Sequence, residues 1–221
     1  MKQVVLVIEG LDGSGKATQT QKLMEHLEEL KKPAVKVSFP NYEDDSSALV
    51  KMYLRGELGQ ADEVNAYAAS LFYTVDRYAT FRKAYKQFWD EGFTIVADRY
   101  TTSNMVHQCT KEPRENWDSY LSWLEELEYE KVGLPRPTQV VYLDVEPEVS
   151  RVLLSKRYEG DESKKDIHEA NFSYLLRCRD SALYAAEKFG WKVIRCNKGQ
   201  QMRTVEDIAA EIWDCVKGYF E

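Results

Sequence analysis

Gln3-Val-Val-Leu-Val-Ile8-Glu9-Gly10-Leu11-Asp12-Gly13-Ser14-Gly15-Lys16-Ala17-Thr18 decides the fold of this chain. Its first six residues are a short, mostly β-branched run, long enough for a strand buried on both faces. Gly10 to Lys16 then supplies a glycine, four residues, and glycine-lysine, which is the phosphate-loop pattern. Beyond it, Leu23, Met24, Leu27 and Leu30 recur at helical spacing with charged residues between them. A buried strand before the loop and a helix after it are the context this pattern requires. Glycines permit the tight turn that aims successive backbone N–H groups at one point, and the helix start adds its partial positive charge. Lys16 brings a point charge to the β- and γ-phosphates. Gly10, Leu11, Asp12, Gly13, Ser14, Gly15, Lys16, Ala17 and Thr18 are therefore the expected phosphate site.

One position departs from the pattern. A Ser or Thr hydroxyl that binds Mg²⁺ should follow the lysine, and Ala17 stands there. Thr18 lies about 100° further around the helix and is better placed for an α-phosphate. Mg²⁺ is then expected on phosphate oxygens, water and one acidic side chain. Asp98, ending the apolar run Phe93–Ala97, is the natural candidate.

Outward from the loop, strands alternate with helices. Ala34–Phe39, Phe93–Ala97, Gln139–Val145 and Trp191–Cys196 read as further strands. Helices are expected over 48–55, 62–90, 116–129, from Pro147, over 167–189 and over 204–219. In the 116–129 helix, Trp117, Tyr120, Leu121, Leu124 and Leu127 share one face. Residues 158–166 (YEGDESKKD) read as a mobile loop. Strands apolar throughout and separated by helices argue a parallel sheet covered on both faces.

Composition bounds the function. The 221 residues suit one domain, 1–221. The net charge of −7 argues against a chain that coats nucleic acid, which needs a basic face. No apolar run approaches the roughly 18 residues that span a bilayer, so no membrane partner is expected. Cys109, Cys178, Cys196 and Cys215 are scattered without a Cys-x-x-Cys pair, and no export signal precedes them. Reduced thiols in a cytoplasmic protein follow from that reading.

The loop alone does not choose among nucleotide-binding classes. A guanine-reading Asn-Lys-x-Asp is missing: Asn197-Lys-Gly-Gln200 lacks the aspartate. Asp12 would repel a triphosphate, so it needs another partner, and a sugar hydroxyl of a second substrate is a sensible one. A different kinase of the same fold, acting on another nucleoside or monophosphate, and a non-catalytic nucleotide-binding module both remain open at this point.

The chain as a whole resembles the thymidylate kinases. The resemblance rests on Glu9–Gln19, on Asp98-Arg-Tyr-Thr-Thr-Ser-Asn-Met-Val-His-Gln108, on Ser38-Phe-Pro40 and on Leu71-Phe-Tyr-Thr-Val-Asp-Arg77. Leu134-Pro-Arg-Pro137 and Tyr142–Pro147 complete it, in the family's order. It implies a three-layer α/β phosphate-loop kinase fold, a five-stranded parallel sheet flanked by helices, and a lid at about 156–168. It also implies ATP as phosphoryl donor with Mg²⁺, thymidine monophosphate as acceptor, and a homodimer.

The resemblance further implies residue roles. Asp12 should accept from the 3′-hydroxyl of the deoxyribose. Tyr73 should stack on the base, with Phe39 nearby. Arg77 should reach a base carbonyl, and Ser103 and Gln108 should lie along the base edge. Arg99 should hold the acceptor phosphate. Lys16, Asp98, Arg99 and Arg157 form the implied catalytic set. Since the loop carries no arginine, Arg157 from the lid, with Lys156, Lys164 and Lys165 near it, should supply the transition-state cation; Asp166 and Glu169 match the lid's acidic pair. Asn41, Tyr42 and Glu43 occupy the place where related chains often carry an arginine, and His107 replaces an expected aromatic.

Overall fold

The computed structural model describes residues 3–157 and 172–221, with side chains through 153 and from 172 onward. Five strands, β1 (Val5–Gly10), β2 (Ala34–Ser38), β3 (Thr94–Asp98), β4 (Gln139–Asp144) and β5 (Lys192–Arg195), form one parallel sheet in the order β2-β3-β1-β4-β5. The central strand is buried along its whole length. Both edge strands carry exposed positions, because one side of each faces water.

The pleat sorts the apolar residues into two cores. Leu6 and Ile8 of β1 join Val96, Val141, Leu143 and Ile194 against α1 (Lys16–Glu29) and the chain's last helix (Val205–Val216). Val5 and Val7 face the other way, with Ile95, Ala97, Val140 and Tyr142. That second face is covered by three later helices, described below, so the layers are helix, sheet, helix.

Between these elements the order is α2 (Ala48–Leu54), α3 (Ala66–Thr80), α4 (Lys86–Asp90), α5 (Thr102–His107), α6 (Trp117–Glu125), α7 (Pro147–Arg157), α8 (Phe172–Phe189) and the closing α9 (Val205–Val216). α5, α6 and α8 cover the second face. Pro147 opens α7, where its missing N–H costs nothing.

The helix expected over 62–90 starts four residues later, because Asn65 caps it: its side-chain oxygen accepts from Ala68 N at 2.8 Å. α3 and α4 are then joined through a π-helical stretch, Phe81–Tyr85. The helix expected over 167–189 is seen from Phe172; residues 167–171 and the lid beyond Arg157, with Lys164, Lys165, Asp166 and Glu169, lie outside the described residues, and the Lys156 and Arg157 side chains do too. Two elements had no sequence expectation: α5, and an antiparallel ribbon of β6 (Asn197–Lys198) and β7 (Gln201–Met202).

β1 pairs with β3 on one side and β4 on the other, so the chain's crossovers leave in opposite directions around it. The crevice beyond the carboxyl ends of such strands is where an open α/β sheet binds ligands. Gly10, Asp98 and Asp144 end the three central strands there.

Candidate active site

The phosphate loop is shaped by close approach and by turn geometry. A Cβ at Gly10 would lie 2.5 Å from Ser14 Oγ and 2.9 Å from the Leu143 carbonyl, so only glycine fits beside β4. Gly15 has φ +87°, the left-handed conformation that glycine adopts freely, and leads directly into α1. No side chain caps that helix, and no acid sits in its first turn. Its N–H groups are thus left for an anion. Lys16 is buried and donates to the Leu11 carbonyl at 2.8 Å, with Asp12 at 3.7 Å. Burial, then the neighbouring Arg99, draws its ammonium below the usual value. Ala17 and Thr18 are exposed on the helix start, and Asp98 is half-buried at the end of β3.

Arg99 follows β3 with φ +65°, a left-handed backbone that a non-glycine residue adopts at some cost. That turn directs the guanidinium across the sheet end to the loop. Nη2 donates to Asp12 Oδ1 at 2.6 Å, and Nη1 lies 3.6 Å from Glu9 Oε1, 3.4 Å from Ser103 Oγ and 3.1 Å from His107 Nε2. Burial opposes the Arg99 charge, but Asp12, Glu9 and Asp98 outweigh it and hold the guanidinium charged. Burial would likewise raise the Asp12 carboxyl. Arg99 and Lys16 overcome it, holding Asp12 far below the usual carboxylate range.

Asp12, Phe39, Tyr73, Arg77, Arg99, Ser103 and Gln108 all line one pocket next to the loop. The structure therefore brings together every residue expected at an acceptor site. Its far end is built around Arg77, which is 2 % exposed. Arg77 Nη2 and Nε donate to Glu128 at 2.6 and 3.3 Å, and Nη1 donates to the Tyr100 carbonyl at 3.1 Å. Burial works against this cation too, and Glu128 more than compensates. Its guanidinium carbon sits 5.9 Å from the Phe39 ring centre and 6.0 Å from that of Tyr100. Gln108 Oε1 is buried with no hydrogen-bond partner among the described residues.

Several site residues carried no sequence expectation. Glu9, fully buried, accepts from Thr102 Oγ1 at 2.9 Å and Ser103 Oγ at 2.8 Å, and so ties α5 to the loop. Asp76 accepts from Asn41 N and Ser46 Oγ, which holds the segment after Pro40 over the pocket. Glu128 had a signal that went unread: it falls four residues after Leu124 and eight after Tyr120, an acid on an apolar stripe. His107, where an aromatic was expected, packs nearly parallel to Tyr174 and sets its Nε2 against Arg99.

A loop that offers N–H groups and a lysine to a polyphosphate, opening onto a second pocket with its own arginine, is the equipment of phosphoryl transfer between two bound molecules. By fold and site this is a phosphate-loop kinase. The family model described as thymidylate kinase matches residues 8–208, and the chain belongs to that family. Among similar proteins is a thymidylate kinase of Caenorhabditis elegans, 28% identical over 156 residues, which are 66% of this chain and 65% of that protein. Another is the thymidylate kinase of Danio rerio, 26% identical over 210 residues, 95% of this chain and 88% of that one. A solved structure of thymidylate kinase from Candida albicans superposes with a TM-score of 0.72 at 18% identity, covering 99% of this chain and 92% of that chain.

Proposed function

We propose that this pocket seats thymidine monophosphate and that the loop seats ATP, so that the γ-phosphate passes to the acceptor and gives the diphosphate. The observation that carries this reading is the pocket's two unlike ends. Near the loop, Arg99 and Asp12 offer a cation for the acceptor phosphate and a carboxylate for the sugar 3′-hydroxyl. Far from it, Arg77 offers only donors and Gln108 Oε1 only an acceptor. A base edge with a carbonyl beside an N–H satisfies both, and thymine carries that pair. Tyr73 and Phe39 supply the aromatic walls.

Phosphoryl transfer is mostly positioning and charge stabilisation. Arg99 draws the acceptor phosphate toward the loop against its repulsion by the ATP phosphates, and its planar fork takes two oxygens at once. Lys16 meets the β- and γ-phosphates. The donor set around the loop fits Mg²⁺, which takes one or two carboxylates and keeps phosphate oxygens and waters as its other ligands. Asp98 would hold it, and bound Mg²⁺ would neutralise charge that develops between the phosphates. By the resemblance, which places a transition-state arginine either in the loop or in the lid, Arg157 is the proposed source of that cation, since residues 10–16 contain no arginine. Four unpaired thiols support a reducing, cytoplasmic setting. Among the described residues, no helix is long and apolar enough to cross a membrane.

The second copy of a homodimer has a surface suited to it. Leu71, Val75 and Tyr78 stand at 43, 52 and 45% exposure on one face of α3, at spacings of four and three residues. The activity is tested by offering Mg-ATP with thymidine, thymidine monophosphate and other monophosphates. Thymidine diphosphate from the monophosphate is expected. Product from thymidine alone would replace this reading with a nucleoside kinase.

A further inference from the structure

Behind the base end of the pocket lies a buried polar network. Glu128 is fully buried yet accepts four hydrogen bonds. Two come from Arg77, one from Thr74 Oγ1 at 2.8 Å and one from Asn104 Nδ2 at 3.5 Å. The network extends through the Ser70 carbonyl, which accepts from Asn104, to the Ser70 and Tyr120 hydroxyls 2.7 Å apart. Glu128 belongs to the π-helical turn Glu126–Lys131 that follows α6, a wide turn of the kind often found at functional sites. Its own carbonyl accepts from Leu134 N at 3.0 Å, which pins the turn to the next loop.

Such a carboxylate does more than offset a charge. A guanidinium has five N–H groups in one plane. Glu128 takes one from Nε and one from Nη2, and the Tyr100 carbonyl takes one from Nη1. The plane is thereby fixed in three directions, leaving one donor on each terminal nitrogen. Without the two-point grip of Glu128, Arg77 could turn about its last torsions and present its donors elsewhere.

We propose that Glu128 is the positioning residue for base recognition: it locks Arg77 so that the pocket presents a fixed donor edge to the acceptor's base. The inference rests on the reading that Arg77 faces the base. A base with a carbonyl at that edge gains a hydrogen bond. A base with an amino group there, such as cytosine, sets donor against donor and leaves buried groups unpaired, which is how a site rejects a mismatched substrate strongly. Discrimination therefore depends on a residue that lies one side chain behind the pocket.

Two variants of the full chain test this, each measured for melting temperature and for kcat and KM with thymidine and deoxycytidine monophosphates. Glu128→Asp keeps the charge but shortens its reach by one methylene. We expect its kcat/KM for thymidine monophosphate to fall at least tenfold, mainly through KM. The thymine-to-cytosine ratio should also fall at least tenfold, with the KM for ATP within threefold of the parent. Arg77→Met/Glu128→Leu replaces the pair by apolar groups, a change buried ion pairs often tolerate, and should lose discrimination to the same degree. A ratio within twofold of the parent in Glu128→Asp, whatever its melting temperature, overturns the inference. If the double variant then still loses discrimination, the reading of Arg77 stands and only the role of Glu128 falls. If the double variant keeps discrimination, both fall.

Discussion

Arg99 donates to Asp12 and Ser103, pairs with the Glu9 carboxylate and lies against His107 Nε2. It does so from a left-handed backbone, so its place is fixed at some conformational cost. Arg99→Ala should lower kcat/KM for the acceptor about 30- to 1,000-fold, the equivalent of roughly 2–4 kcal/mol for a lost charge-assisted contact. An effect under threefold would refute its assignment. The exposed Ala17 should matter little: Ala17→Ser is expected to change saturated turnover less than about tenfold, with any benefit confined to low Mg²⁺. Asp98→Asn should be far more damaging, and Mg²⁺ titration of the two variants separates them. Lys111 gives a pH signature. It donates to Tyr53 Oη and to the Val64 carbonyl, and burial pulls its ammonium down to about 8 despite Asp62. Between that value and about 10.4, its value in the unfolded chain, the folded chain releases the proton first, so stability gains a rising contribution with pH. Burial pushes the Cys109 and Cys196 thiols up to about 12, which works the other way, so the test is a difference: from pH 8 to pH 10 the urea midpoint of Lys111→Met should fall further than that of the parent. The phosphate-loop residues were legible as a pattern because spacing along the chain carries it. Glu128 was not, since its partner is 51 residues away and only folding joins them.

Elements were legible where burial is two-sided or the period is long. β1, β3 and β4 read directly as apolar runs, and α9 as an amphipathic stripe of Ile208, Ile212 and Val216. α5 has six residues, under two turns, and β6 and β7 have two each, so neither offers a period to count. The start of α3 was displaced because helical composition extends back to Asp62, while the helix start is set by one side chain, that of Asn65. Asn65→Ala should cost about 1 kcal/mol, lowering the melting temperature by roughly 2–4 °C for a chain of this size. Asn65→Asp should keep most of it, since aspartate accepts from the same N–H. Calorimetry of the two variants checks the cap.

At the scale of the molecule, the face of α3 carrying Leu71, Val75 and Tyr78 predicts association. The parent is expected to sediment as a dimer, and Val75→Glu as a monomer with unchanged helix content. A parent that sediments as a monomer at tens of micromolar would remove this surface as a dimer contact. The sheet order also has a bearing on how the chain comes into being. Val5 pairs with Ile95, and Leu6 pairs with Gln139. On a ribosome adding roughly 5–20 residues per second, the first strand made therefore waits about 5–20 s for its first neighbour and longer for its second. Throughout that interval an apolar segment destined for the centre has no edge to join. Until then α1 can cover only the Leu6 and Ile8 face, leaving Val5 and Val7 on the other side bare, and the nascent segment up to β3 is where a delay in translation should most raise the aggregated fraction.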